Sequence, residues 1–267
     1  MKILLSNDDG VHAEGLQFLY HELKKLGEVW VVAPLEEKST TGHSLTLHKP
    51  LRMIKMGPRF YGVSGSPADC VYLGIRQLLK TMPDLVVSGI NRGANLGQDV
   101  YYSGTVSAAR EACILGLRSF AVSLSVDYTK FQTEKELHYA TAAKVALKVL
   151  KTSALRDLPL HTLMNLNVPD LPLGKVKGVR VAHQGFRLYS GSILSRKDHR
   201  GKDYYWVGGH YKGFRKDLDS DCHVVDSGYA SLTPLKLDAT DTSFLGVLRG
   251  TELESIRFSK GAKKGRK

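Results

Sequence analysis

Asp8 and Asp9 stand side by side behind a short apolar run in the opening segment MKILLSNDDG. Adjacent carboxylates repel one another unless a positive charge lies between them, and a hard divalent cation held by oxygens is the usual remedy. The ordinary alternative is a turn with solvated acids, because Asn-Asp-Asp-Gly is also common turn chemistry. Two further stretches offer oxygens of the same kind. Ser39 lies in the polar run 35–43, and Asn91 and Asn95 lie in the Gly/Asn-rich run 89–97. Two carboxylates, a hydroxyl and amide carbonyls suit Mg²⁺ or Mn²⁺, whereas zinc would call for His or Cys. Taken singly, Ser39 and Asn95 are unremarked loop and turn residues. A third feature would handle an anion. Ser103-Gly104-Thr105 opens the small-residue helix expected over 106–115, and the first backbone N–H groups of a helix are free to bind phosphate.

These residues need a scaffold that brings strand ends together. The run Lys2-Ile3-Leu4-Leu5-Ser6, stopped by turn formers, reads as a buried strand entering a loop. Leu16, Leu19, Tyr20, Leu23 and Leu26 then recur at helical spacing, with Gly27 as the cap. Residues 28–33 form the next strand, stopped by Pro34, so the first 33 residues make a βαβ unit and a parallel sheet. No GxGxxG follows the first strand, which argues against dinucleotide binding. Residues 44–48 and 51–56 are expected as a hairpin outside the main sheet. Pro67 suits the start of a helix carrying Val71, Ile75, Leu78 and Leu79 on one face. Residues 84–88 repeat the opening design, 120–125 and 163–168 read as strands, and Thr133-Glu134-Lys135-Glu136 reads as a capping box for a helix to about Lys151. In such open sheets, ligands sit beyond the carboxyl ends of the strands, where Asp8, Asp9, Ser39, Asn91 and Asn95 would converge.

Length and composition agree with this architecture. The 267 residues are 42% hydrophobic, enough for one large core or a core with an appendage. Three widely spaced cysteines without a CxxC suit reduced thiols in a cytoplasmic protein. No signal-peptide pattern opens the chain and no run approaches a bilayer span, so no membrane partner is expected. The net charge is +12, of which the tail 259–267 supplies five positives, and 186–216 carries a net +6. Such a balance favours anionic partners without choosing between phosphate esters and nucleic acid.

The motifs NDDG at 7–10, Ser39 ahead of GHSLTLHKP at 42–50, GSPADCV at 65–71, SGINRGANLG at 88–97 and YSGTVSAAREA at 102–112 resemble the SurE (survival protein E) family of 5′/3′-nucleotidases. NLNVP at 165–169, Asp221 and GYASLTPL at 228–235 carry the likeness into the C-terminal half. The resemblance implies a Rossmann-like, doubly wound, mostly parallel α/β/α sandwich with a C-terminal β-rich arm exchanged between subunits of a homodimer or homotetramer. It also implies a metal-dependent phosphoric monoester hydrolase acting on nucleoside monophosphates, and in some members on short polyphosphate. One divalent cation, Mg²⁺ or Mn²⁺, would be held by Asp8, Asp9, Ser39 and Asn95. Two departures stand out. Ser39-Thr40-Thr41-Gly42-His43 replaces the family's Ser-Gly-Ala-Gly-His loop, and Ser66 replaces the commoner Thr of GTPADC. Neither removes an implied ligand.

The expected division is a catalytic core over 1–174, a β-rich oligomerisation arm over 175–225, a return strand and C-terminal element over 226–258, and a basic tail over 259–267. The cation would polarise the phosphoryl group and activate water beside Asp8 and Asp9. Asn91, Ser103, Gly104 and Thr105 would cradle the phosphate. His43 is a candidate proton donor to the leaving alkoxide, or else an anchor for its loop. The Asp-x-Asp pattern of haloacid dehalogenase phosphatases is absent, so no aspartyl-phosphate is needed. The competing class is a non-catalytic nucleic-acid binder using the basic arm and tail. Acids at the strand ends make nucleic acid an unfavourable partner.

Overall fold

A computed structural model describes residues 1–126, 137–153 and 157–256. They divide into two units, Met1–Leu237 and a second beginning at Asp238. The first is built on a nine-stranded sheet. Its centre is parallel: β1 (Lys2–Ser6) lies between β2 (Glu28–Pro34) and β5 (Leu85–Arg92), with β6 (Ser119–Ser125) and β7 (Thr162–Pro169) following β5. β4 (Phe60–Val63) extends the sheet beyond β2, and antiparallel β3 (Met53–Gly57) closes that edge. On the other side β13 (Ala230–Lys236) runs antiparallel to β7 and parallel to the short outer strand β8 (Val179–Val181).

Alternation along the strands creates two apolar faces. Ile3, Leu5, Val31 and Val87 pack with Leu16, Leu19 and Leu23 of α1 (Glu14–Leu23) and with Ala142 and Ala146 of α4 (Tyr139–Leu150). Leu4, Val32 and Val86 point the other way, onto α2 (Pro67–Leu73) and α3 (Gly104–Ile114). The result is the three-layer, doubly wound, mostly parallel architecture that the family resemblance implies, and its parallel centre is what the βαβ opening predicts. The chain first lays strands on one side of β1 and then crosses to β5 on the other. The gap between β1 and β5 is therefore the topological switch point.

Several local expectations differ from the structure. Residues 44–52 form no strand, and β3 belongs to the main sheet. Their polar groups are taken elsewhere: Ser66 Oγ donates to the Ser44 carbonyl, while Thr46 donates its N–H and hydroxyl to Asp69 at 2.8 and 2.6 Å. Asp69 also closes a capping box with Ser66, with Pro67 as the first helical residue of α2. α1 ends at Leu23 instead of running to Gly27. The capping box proposed at 133–136 and the basic tail 259–267 lie outside the described residues.

Between β8 and β13 the chain forms two small antiparallel ladders. β9 (Arg187–Tyr189) pairs with β12 (Tyr211–Phe214), and β10 (Ile193–Lys197) pairs with β11 (Asp203–Val207), followed by α5 (Asp221–Asp226). Every residue of β10 and β11 is exposed. The second unit contains α6 (Thr242–Leu248), capped by the Asp241 carboxylate, which accepts the N–H groups of Ser243 and Phe244. Among the described residues, no helix is long and apolar enough to cross a membrane.

Candidate active site

β1 delivers Asn7, Asp8 and Asp9 to the switch point. Asn7 Nδ2 donates to the Gly10 carbonyl at 2.8 Å and closes the turn beneath the two acids. Asp8 is 4% exposed and accepts a hydrogen bond from the Thr105 hydroxyl. Burial pushes its carboxyl above the usual range despite that donor. Asp9 Oδ2 accepts the Arg92 N–H at 3.1 Å, which leaves Oδ1 for a ligand. Its carboxyl is pushed up to about 7, first by burial and then by the neighbouring Asp8.

α3 meets this pair at its N-terminus. Ser103 is the N-cap, its Oγ accepting the Val106 N–H at 3.0 Å, so its hydroxyl is committed to holding the helix start. Thr105 is fully buried and turned onto Asp8. Gly104 lies closer still: a Cβ there would stand 2.7 Å from Asp8 Cβ and 2.9 Å from its Oδ2. The positive end of α3 is thus pressed against the carboxylate.

Ser39 comes alongside through the loop after β2. Lys38 N–H donates to the Asp8 carbonyl at 2.7 Å, and Gly42 N–H donates to the Tyr102 carbonyl at 3.1 Å. Ser39 is exposed, with its Oγ 2.5 Å from Glu37 Oε1. His43 Nε2 lies 2.8 Å from Glu111 Oε2 on the flank of α3. Asn91 follows a bulge in β5, where Gly89 takes a φ of +134° and a Cβ would meet the Val122 carbonyl oxygen at 2.2 Å. Its Nδ2 donates to the Gly93 carbonyl at 2.9 Å, leaving Oδ1 open.

Asn95 is held from three sides. Its N–H donates to Asn167 Oδ1 at 2.8 Å, and its carbonyl accepts from Asn165 and Asn167. Its Nδ2 donates to Ser123 Oγ at 2.8 Å, leaving Oδ1 available. Ser123, Asn165 and Asn167 are fully buried on β6 and β7. The sequence reading assigned them no role; the polar alternation within NLNVP was the available signal. The segment from Asn95 to Ser103 is also fastened to the root of the small ladders. Asp221 accepts Gly97 and Gly185 N–H groups at 3.0 and 2.9 Å. Gln98 bonds the Arg187 main chain in both directions, and the Arg187 guanidinium reaches Asp99 at 2.6 Å.

Among the described residues, no cluster of three or more His, Cys, Asp or Glu side chains could hold a metal. Asp8 and Asp9, with hydroxyl and amide oxygens nearby, remain the candidate set for a hard cation.

The fold is that of a Rossmann-like α/β protein, with the Asp8–Asp9 acidic pair as the candidate site at its switch point. The model of the family described as survival protein SurE matches residues 3–191. A protein of Geotalea daltonii named 5′-nucleotidase SurE is 49% identical over 254 residues, covering 95% of this chain and all of its own. The one of Geobacter sulfurreducens with the same name is 44% identical, covering 99% of each. The crystal structure of the SurE protein from Aquifex aeolicus superposes with a TM-score of 0.82 at 39% identity, covering 96% of this chain and 100% of that one. The chain belongs to the SurE family.

Proposed function

We propose that this protein is a metal-dependent phosphomonoesterase that hydrolyses nucleoside 5′- and 3′-monophosphates to nucleoside and phosphate, with short-chain polyphosphate as a further substrate. The observation that carries the reading is the Asp8–Asp9 pair, two adjacent acids whose burial at the switch point raises both pKa values. Near-full-length likeness to proteins named 5′-nucleotidase SurE supports the substrate class.

Asp8, Asp9, Ser39 and Asn95 hold one divalent cation, Mg²⁺ or Mn²⁺. The fit rests on chemistry in this chain: two acids short of compensating charge, Asn95 Oδ1 left unspent, and a glycine where a side chain would crowd Asp8. Bound there, the cation supplies Lewis acidity toward a phosphoryl oxygen and lowers the pKa of water. Thr105 orients Asp8 and the Arg92 N–H orients Asp9. The start of α3 at Ser103-Gly104-Thr105, with Asn91 near the end of β5, offers backbone donors and a positive dipole end to the phosphate. The test is phosphate release from a panel of nucleoside monophosphates. Release is expected with Mg²⁺ or Mn²⁺, should vanish on adding EDTA, and should return when the cation is restored. No release from any nucleotide under any cation would overturn the reading.

The same reading makes the chain a cytoplasmic homodimer or homotetramer whose 175–225 arm is exchanged between subunits. Its three buried thiols suit a reducing compartment. Ile193, Leu194, Tyr205, Trp206 and Val207 are all more than half exposed or at half, an apolar surface that a second subunit would cover. Sedimentation equilibrium should give a dimer or larger at on the order of tens of micromolar. A strict monomer there would remove the exchange model.

A further inference from the structure

Glu111 is a buried acid that neither the proposed cation set nor the phosphate cradle uses. It is 4% exposed on α3, seven residues beyond Gly104. A carboxylate taken out of water must be paired or hydrogen-bonded. Among the described residues its carboxylate has one side-chain partner, His43, with Oε2 2.8 Å from Nε2. Seven helical residues make two turns, so Glu111 shares a face with Gly104 but lies about 10 Å further along the axis. His43 is therefore drawn down the flank of α3, away from the helix start where the reaction is placed.

The loop that His43 terminates has little else to fix it. Glu36, Glu37, Ser39, Thr40 and Thr41 are exposed, and the run 36–42 has no apolar side chain to bury. Lys38 N–H on the Asp8 carbonyl and Gly42 N–H on the Tyr102 carbonyl tie down its backbone. Thr40 takes a left-handed φ of +57°, which a β-branched residue adopts at a cost. The strap thus carries strain that its ends must hold.

We infer that Glu111 is a positioning residue: by holding His43 it fixes the strap that presents Ser39 to the Asp8–Asp9 pair, and His43 is the anchor of that strap instead of the proton donor. This rests on the proposed site, and the leaving alkoxide then takes its proton from solvent.

The test uses the full chain with His43→Asn, Glu111→Ala and Glu111→Gln. Mn²⁺ affinity is read by electron paramagnetic resonance of the free ion, without substrate. Turnover is read on a nucleoside monophosphate and on p-nitrophenyl phosphate, whose phenolate leaves without a proton. His43→Asn and Glu111→Ala are each expected to weaken Mn²⁺ binding about tenfold or more, in line with losses at outer-shell residues of metal sites. Both should slow the two substrates by equal factors. Glu111→Gln, whose amide oxygen still accepts from the ring, should recover much of the loss. His43→Asn, at a side chain that is 20% exposed, keeps the test decisive even if Glu111→Ala misfolds. Unchanged Mn²⁺ affinity in His43→Asn, or a loss confined to the nucleotide, would overturn the anchor role. If the wild type releases no phosphate from any nucleotide, the functional reading fails while the Mn²⁺ titration still decides on the strap.

Discussion

Replacing Asp9 by asparagine is expected to abolish cation-dependent phosphate release and, in the metal-free protein, to raise stability at pH 8. The first effect follows because an amide supplies no negative charge to a hard cation. The second follows from the raised carboxyl, about 7 in the fold against 3.8 for an ordinary aspartate. Between those values the native chain holds a proton that the unfolded chain has released. Metal-free stability therefore falls as pH rises through that window and stays low above it. Partial exposure of Asp9 screens the effect, which is on the order of 2 kcal/mol, or a few degrees in melting temperature. At pH 4 the variant and wild type should melt together. Asp8→Asn should lose activity in the same way, with the Thr105 hydroxyl still able to donate to the amide oxygen. Wild-type turnover in either variant, with unchanged Mn²⁺ dependence, would remove the pair from the site.

Gly104→Ala should lower kcat/KM by about a hundredfold while leaving the circular dichroism unchanged, the scale expected when reacting groups shift by about an ångström. The added methyl would meet Asp8 Cβ at 2.7 Å, its Oδ2 at 2.9 Å and Pro67 Cγ at 3.1 Å. None of these can give way easily. Asp8 is buried and bonded to Thr105, and Pro67 is locked into the capping-box start of α2. Gly174→Ala is the matched control, since a Cβ there meets nothing within 4 Å. Equal kinetics in the two variants would mean that the α3 start is not part of the reacting geometry.

The α/β core was legible in the sequence because its signals are local. Ile3-Leu4-Leu5 ends in turn formers, α1 repeats its leucines at helical spacing, and Ser66-Pro67 opens α2. The same holds for Asp8 and Asp9, which are adjacent in the chain. What was missed depends on distant partners. Residues 44–48 alternate like a strand, but Asp69 and Ser66 take their polar groups. Asn165 and Asn167 acquire meaning only because Asn95 lies across from them, more than 69 residues earlier. Glu111 reads as one charge on an ordinary helix until His43 is seen against it, 68 residues away. The resemblance named candidate ligands but could not show what each polar atom already binds: Asn95 Nδ2 is committed to Ser123 and Asn91 Nδ2 to Gly93, which turns the amide oxygen of each into its open atom.

The exposed hairpin β10–β11 also gives the molecule an optical handle. The chain has two tryptophans. Trp30 is half-buried on β2, stacked on Tyr61 and hydrogen-bonded to Glu28, whereas Trp206 on β11 is 64% exposed. Their fluorescence therefore reports two different environments, one on the main sheet and one on the hairpin surface. In a Trp30→Phe variant all indole emission would come from the hairpin, where a dissolved quencher such as iodide has access as long as β11 is uncovered. Anything that covers β11 would shut that quencher out, so a dilution series could follow the covering without an attached dye. The three buried cysteines leave surface thiol labelling free for a second colour placed at will.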